Sequence, residues 1–322
     1  MKVLYVTNMY PNEKDPYYGI FVKEQIEAIN RVSQIEDTIF VIDGKNGIQE
    51  YLKSIIKIRK LVKKEKFDII HIHYGLSGLF LLFGSVNVPV LMTLHGGDIQ
   101  IEQGKTFQVY LTKRILKHCN YAITLNEKMD DIVRKYINKT IIIPCSVNTS
   151  VFNVYPDKKE ERNNSLNILF PSSRSRKVKD FPLFQKVCNV IRKKYHLKVD
   201  EYYLENLNRI DVAKLFNKMD VLLMTSISEG SPQVVKEAMA CNLPVISTNV
   251  GDVSVLLSNV KDSYVSITRD ENELASLVML SLERKGKGIQ PREKIMELKL
   301  DDDSIADKII STYRKIIGNI QT

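Results

Sequence analysis

No stretch of the 322-residue chain approaches the roughly 20 continuous apolar residues of a membrane span. The nearest, GLSGLFLLFGSVNVPVLM at 75–92, is broken by Gly, Ser, Asn and Pro. The opening MKVLYVTNMYP lacks the apolar core of a signal peptide and reads as a first strand. Cysteine is scarce: Cys119, Cys145, Cys188 and Cys241 lie far apart with no CxxC pair. That argues against a zinc knuckle or a disulfide framework and points to reduced, mostly buried thiols in a cytosolic protein. No G-x-G-x-x-G follows KVLYVT, which disfavours a dinucleotide dehydrogenase, and no short-period repeat is present. Acids are in deficit, 38 against 47 Lys and Arg, for a net charge of +9. The excess calls for an anionic partner, and nucleic acid, anionic lipid and nucleotide phosphates all qualify. A basic–aromatic recognition motif is missing and the lysines are spread over both halves, so nucleic acid is not expected.

What is present is a steady alternation of short β-branched runs with amphipathic helical stretches. KVLYVT, DTIFVID, FDIIHIHYG, VPVLMTLHG, YAITLN and TIIIP read as strands of a first half. Between them IFVKEQIEAINRV, YLKSIIKIRKLVKKE, FQVYLTKRILKHC and KMDDIVRKYI read as helices. The polar run VNTSVFNVYPDKKEERNNSLN breaks the rhythm and is the linker candidate. NILFPSS, KVDEYYLE, DVLLMT and PVISTN then alternate with FPLFQKVCNVIRKKY, VAKLFNKM and PQVVKEAMACN, and SIADKIISTYRKIIGNI closes the chain as a helix. Alternation of this kind means parallel βαβ units, with ligands bound outside the carboxyl ends of the strands, here expected in a cleft between the halves.

Two stretches carry chemistry. In SISEGSPQVVKEAMACNLPVISTNVGD, Glu229 and Glu237 stand eight positions apart. Gly230 permits close backbone approach, Pro232 suits a first helical turn, and the new helix would offer free N–H groups and a positive dipole end as an anion site. Helical periodicity puts Glu237 about two turns on, roughly on the side of Glu229, where an acid suits paired hydroxyls such as a ribose diol. The plainer alternative is a surface helix with two solvated acids. In FPSSRSRKVKDF, Arg174, Arg176, Lys177 and Lys179 follow a strand end, where a pyrophosphate needs neutralising. Each charge-assisted bond there contributes roughly 1.5–3 kcal/mol; a solvated basic loop is the alternative.

SEGSPQVVKEAMACNLPVISTNVGD resembles the E-x(7)-E region of retaining glycosyltransferases of family four, which have the GT-B fold of two Rossmann-like domains across a cleft. Arg174 and Lys179 match that family's strand-end Arg and the Lys five residues on, and IIIPCSVNTSVF resembles its inter-domain segment. FDIIHIHYG, LMTLHGGD and PYYGIFVKEQIEAI resemble its N-domain strands and first Gly loop. The likeness covers nearly the whole chain and is nearest to short bacterial enzymes that build surface polysaccharides, including teichuronic acid-type polymers. It implies an acceptor-side domain at 1–150, a linker at 151–165, a nucleotide-sugar-binding domain at 166–305 and a helix at 306–322 packing back on the first domain. It further implies that Glu237 holds ribose hydroxyls of a nucleotide diphosphate sugar. Glu229, with the backbone of Gly230 and Ser231, would hold sugar hydroxyls and the diphosphate, and Pro232 and Gln233 open the helix beside them. Arg174 and Lys179 would neutralise the leaving pyrophosphate, Gly19 would bring backbone close to it, and His95 would sit near the donor sugar. Ser146, Asn148, Asn242, Asp252 and Val255 depart from the family pattern, and the stretch before VAKLF is short and lacks a Gly-x-Gly turn, so no base is assigned.

Three further signals have plainer readings. His71 and His73 share a strand face without a third ligand at matching spacing, so a strand-end pair is expected rather than a metal site. Asp301–Asp303 mimic an Asp-x-Asp metal motif, but they precede a helix and suit its N-terminus. Lys53, Lys57, Lys60 and Lys64 line one helical face, which is either solvated or docks on an anionic membrane, with Leu52, Ile55, Ile56 and Val62 expected against the sheet. The resulting expectation is a metal-independent, cofactor-free, retaining hexosyl- or related glycosyltransferase. Its donor would be a nucleotide diphosphate sugar and its acceptor a growing glycan, lipid-linked, met on the inner face of the cell membrane by a cytoplasmic, peripheral protein. A sugar-nucleotide 2-epimerase of the same architecture and a basic nucleic-acid-binding protein are the rival readings.

Overall fold

A computed structural model describes residues 1–16, 18–100, 106–155, 165–205 and 207–321. The chain forms two compact units, residues 1–146 with 302–322, and residues 147–301. Most of the expected linker, 156–164, lies outside the described residues.

The first unit is a parallel sheet of β1 (Lys2–Thr7), β2 (Glu36–Val41), β3 (Ile69–His73), β4 (Val90–Thr93), β5 (Tyr121–Thr124) and β6 (Thr140–Ile142). Their order is β2-β1-β3-β4-β5-β6. The inner strands β3, β4 and β5 are buried at every position, as strands covered on both faces must be, which is why they are near-continuous apolar runs. Helices α1 (Ile20–Val32), α2 (Ile48–Lys64), α3 (Thr106–Leu116) and α4 (Glu127–Val133) connect them. The run at 75–92 becomes a 3₁₀ stretch, Gly75–Phe83, followed by β4, and no helix among the described residues is long and apolar enough to cross a membrane. The C-terminal helix (Asp302–Gln321) belongs to this unit, with Asp302 and Asp303 in its first turn and Asp303 paired to Arg31 of α1.

Helix α2 differs from expectation. Its buried face runs through Tyr51, Ser54, Ile55 and Ile58, leaving Leu52 51% and Ile56 61% exposed. The 3.6-residue period explains this, because Leu52 and Ile56 fall one helical row away from the Ile55–Ile58 contact. Ile48, 59% exposed, continues that row, so an aliphatic stripe borders the exposed lysines.

The second unit repeats the plan with β7 (Ser165–Phe170), β8 (Lys198–Tyr203), β9 (Val221–Met224), β10 (Val245–Thr248) and β11 (Tyr264–Ser266), in the order β11-β10-β9-β7-β8, all parallel. Helices α5 (Phe181–Lys194), α6 (Arg209–Lys218), α7 (Gln233–Ala240), α8 (Val253–Leu256), α9 (Glu271–Leu282) and α10 (Pro291–Glu297) accompany them. The expected α/β class of two Rossmann-like domains is the one observed. In each unit the strand order reverses once, between β1 and β3 and between β7 and β9. Loops leaving the carboxyl ends of those strands border a crevice where such sheets bind ligands.

Candidate functional site

In the second unit, the loop after β7 carries the four cations and the loop after β9 carries Glu229, so the topology alone sets them side by side. Local bonds fix the match. Ile227 N–H donates to the Val178 carbonyl at 2.8 Å. Thr225 Oγ1 donates to the Lys179 carbonyl at 2.9 Å, and Arg269 bonds Asp180 Oδ2 at 2.7 Å and the Thr225 carbonyl at 3.2 Å. Within that frame Lys179 Nζ meets Glu229 Oε1 at 2.6 Å, and the two side chains are 7% and 15% exposed.

Helix α7 starts at Gln233 with Pro232 as its N-cap and no side-chain cap bond. Glu237 therefore lies one turn into the helix, rather than two turns from Glu229, because 229–232 are loop. Nor do the two acids share a partner. Glu237 is buried and paired with Arg209, whose guanidinium lies over the Phe152 ring at 4.6 Å. Arg209 was not anticipated. It opens α6 behind the Asn208 cap, and a cation at a helix amino end opposes the dipole, which is the one trace of a partner that the sequence offers.

Arg174 is turned elsewhere: its Nε donates to Glu205 Oε1 at 3.2 Å, its backbone N–H donates to the same oxygen at 2.9 Å, and it lies over Tyr203 at 4.9 Å. Arg176 and Lys177 are exposed. Ser231 Oγ donates to Asp252 Oδ2 at 2.6 Å, and burial pushes the Asp252 carboxyl above its ordinary range. Its turn presses on the site, since a Cβ at Gly251, φ 58°, would stand 2.3 Å from the Gly230 carbonyl oxygen. Two other departures from the family pattern have simple accounts. Asn148 Oδ1 accepts from Ser150 and Val151 N–H, the turn an Asp would make, and Asn242 tolerates φ 55° while accepting from Arg292 N–H.

In the first unit, Gly19 caps α1 at φ 72°, and a Cβ there would stand 2.2 Å from the Met9 carbonyl carbon, so only glycine fits. His95 follows β4 and its backbone N–H donates to Asp98 Oδ1 at 3.0 Å. Asp98 also accepts from Gly75 N–H at 3.1 Å, tying the β3 and β4 loops together, and burial raises its carboxyl to about 6. His71 and His73 are fully buried at the end of β3. His71 Nδ1 meets Tyr313 Oη at 2.5 Å and Nε2 meets Thr93 Oγ1 at 2.7 Å. His73 Nδ1 lies 3.3 Å from His95 Nε2. Burial lowers all three imidazoles, His71 to about 3 and His95 to about 4, so they are neutral at physiological pH. Among the described residues, no three His, Cys, Asp or Glu side chains converge as a metal site would require. A cavity of about 610 Å³ beside Val62, Phe67 and Val88 lies at the amino ends of β3 and β4, the wrong end for this chemistry.

Comparison with known proteins bears on the family and the fold. Residues 3–151 match the family described as Glycosyltransferase Family 4, and residues 182–297 match Glycosyl transferases group 1. An uncharacterized glycosyltransferase of Methanocaldococcus jannaschii is 25% identical, covering 86% of this chain and 83% of its own. The putative teichuronic acid biosynthesis glycosyltransferase TuaC of Bacillus subtilis is 20% identical, covering 80% and 83%. The UDP-Gal:alpha-D-GlcNAc-diphosphoundecaprenol alpha-1,3-galactosyltransferase of Escherichia coli is 24% identical over 66% of each chain. Among solved structures, the sucrose-phosphate synthase of Thermosynechococcus elongatus superposes with a TM-score of 0.81 at 17% identity, covering 99% of both chains. Anabaena HepE in complex with UDP-glucose gives 0.73 at 13% identity, covering 98% of this chain and 100% of that one.

Proposed function

Because this chain belongs to the family-four glycosyltransferases, matching models for both of their domains, we propose that it moves a sugar from a nucleotide diphosphate sugar, with retention, onto a lipid-linked glycan. The observation that carries the proposal is the pair of ion pairs, Lys179–Glu229 and Arg209–Glu237, flanking the start of α7 at the strand-order reversal. A diphosphate entering there is a competing partner for Lys179 and for the amides of Gly230, Ser231 and Gln233, and it frees Glu229 for sugar hydroxyls. Glu237, oriented by Arg209, accepts from ribose hydroxyls. Arg174 swings from Glu205 to the phosphates. Gly19 and His95 keep the roles that the family resemblance gives them. In the reaction the bond from C1 to the diphosphate oxygen breaks and the acceptor hydroxyl oxygen bonds to C1 on the same face. The hydroxyl proton passes to the departing phosphate. No metal or cofactor is part of this scheme, since Lys179, Arg174 and the helix dipole supply the stabilising charge.

The lipid-linked acceptor is suggested by the Escherichia coli relative, whose name specifies a diphosphoundecaprenol-linked substrate, and the nucleotide donor by the UDP-glucose in Anabaena HepE. Attachment to the inner membrane face would use α2, whose exposed lysines attract an anionic leaflet and whose Leu52 and Ile56 dip into it. The test is nucleotide release from a panel of UDP-, GDP- and ADP-sugars, with and without a polyprenyl diphosphate-linked sugar. Acceptor-dependent release giving a product with the donor's anomeric configuration is expected. Release with no acceptor, or an epimerised sugar, overturns the proposal in favour of an epimerase or hydrolase.

A further inference from the structure

The buried histidines of the first unit are not equivalent. Both ring nitrogens of His71 face hydroxyls: Tyr313 Oη, which donates to Tyr5 Oη at 3.3 Å, accepts from His71 Nδ1–H, and Thr93 Oγ1 can turn to donate to Nε2, so His71 is satisfied at both ends. The His73–His95 contact has no such freedom. A neutral imidazole carries one N–H and one lone pair, and two of them meeting nitrogen to nitrogen bond only if one donates and the other accepts. Their planes differ by 20° with centroids 5.5 Å apart, while Nδ1 and Nε2 stand 3.3 Å apart. The rings thus meet edge to edge in nearly one plane, the geometry of an N–H···N bond rather than of face-to-face stacking.

The direction of that bond follows from the other end of His73. Its Nε2 is buried and finds no hydrogen-bond partner among the described residues. If His95 donated, His73 would carry its proton on Nε2, leaving a buried N–H without an acceptor. If His73 donates from Nδ1, the orphan is a lone pair. Among backbone groups, orphaned N–H donors are the rarer of the two in folded proteins, and the same preference favours donation by His73.

We propose that His73 is a positioning residue that donates from Nδ1 to His95 Nε2 and so holds His95 as its Nδ1–H tautomer. His95 then offers an N–H, and not a lone pair or a positive charge, from the nitrogen away from His73. Phe21, with its ring centroid 4.9 Å from that of His95 and its plane tilted by 58°, packs against the imidazole. Under the proposed function, on which this part rests, His95 is a fixed neutral hydrogen-bond donor to a sugar hydroxyl and takes no proton during transfer. That refines its role, and it assigns a role to His73, which had only a strand-end placement.

The test is the nitrogen-15 spectrum of the histidine rings in the whole protein at pH 7, with His95 assigned by His95→Gln. Long-range proton–nitrogen couplings identify which nitrogen bears the proton. His95 protonated on Nδ1 and His73 protonated on Nδ1 is the expected result. In His73→Leu the His95 signal should shift toward the Nε2–H form, and His73→Asn, whose amide places a donor near the same point, should restore Nδ1–H. His95 protonated on Nε2 in the parent protein overturns the proposal without any variant, as does an unchanged His95 signal in a folded His73→Leu protein. None of this needs a donor sugar, so the tautomer stands or falls apart from the transferase reading. A correct tautomer in a protein that turns over no sugar would reject only the transferase.

Discussion

At the strand-order reversal of the second unit, four charged side chains are held as two close pairs; at that of the first, two buried histidines and the half-buried His95 are neutral. The topology is the same and the electrostatics are opposite. A buried ion pair gains little stability over an apolar substitute, because desolvation offsets much of its attraction. Lys179–Glu229 and Arg209–Glu237 are therefore better understood as sites whose partners can be exchanged for a ligand's phosphates and hydroxyls. The histidine cluster has no charge to exchange. Its contribution is hydrogen-bond direction, fixed by packing, in a unit whose loops are tied by Asp98.

If that contrast holds, charge removal should be felt most in the second unit. Lys179→Met should cut turnover on the order of 10²–10³, the loss seen when one preorganised donor to a leaving group is deleted. It also leaves Glu229 unpaired, at a cost of roughly 3 kcal/mol if the site behaves as buried. Lys179→Met with Glu229→Gln should recover the melting temperature but not the rate. Recovery of both would mean that the pair is merely structural. Arg174→Ala should lower the rate less, because Arg174 is exposed and already held by Glu205, whereas Arg176→Ala and Lys177→Ala should leave it nearly unchanged.

The first unit yields a smaller, pH-dependent signal of opposite sign to ordinary acid denaturation. Asp98 has a folded value of about 6 against 3.8 in the unfolded chain, so the native state binds that proton more tightly between these values. Stability from this group consequently falls as pH rises from about 4 to 6. Asp98→Asn should remove that slope, measured by denaturant melts across the window. Glu273 acts elsewhere: hydrogen bonds from Thr268, the Ile267 amide and Ser266 lower it to about 2, so its stabilisation is complete above 4.5 and is lost progressively as pH falls from there through the folded value. An Asp98→Asn protein with an unchanged slope at pH 4–6 would show that its carboxylate is better solvated than its burial implies.

The smallest effect concerns α2. Each lysine near an anionic leaflet contributes about 1 kcal/mol, so changing Lys53, Lys57, Lys60 and Lys64 to Gln should release the protein from anionic vesicles while sparing nucleotide affinity. Leu52→Ser with Ile56→Ser should weaken binding further at high salt. Co-sedimentation of the quadruple variant equal to the parent's would remove α2 from the account.

Much of this was legible in the chain. The alternation of apolar runs gave both sheets, because buried parallel strands must be continuous in apolar character, and Arg174, Lys179 and Glu229 follow the strands that the topology brings together. Four elements of the second unit, β11, α8, α9 and α10, were not anticipated. Two of them, β11 and α8, are three and four residues long, too short for any period to register. Arg209 escaped because its partner is 28 residues away and its importance lies in a contact rather than a motif. Reading Leu52 and Ile56 as buried failed because an amphipathic pattern gives a face, not its width.

The central claim is that the loops after β7 and β9 bind a nucleoside diphosphate. It is tested most directly by thermal-shift titration of UDP, GDP and ADP against the parent protein and Glu237→Gln. A ligand at about 100 times its Kd stabilises the native state by about 2.7 kcal/mol, which at roughly 2–4 °C per kcal/mol is a clear displacement. One nucleotide should raise the parent's melting temperature and do so at least tenfold less potently in Glu237→Gln. No shift with any of the three, or equal potency in the two proteins, would contradict the account.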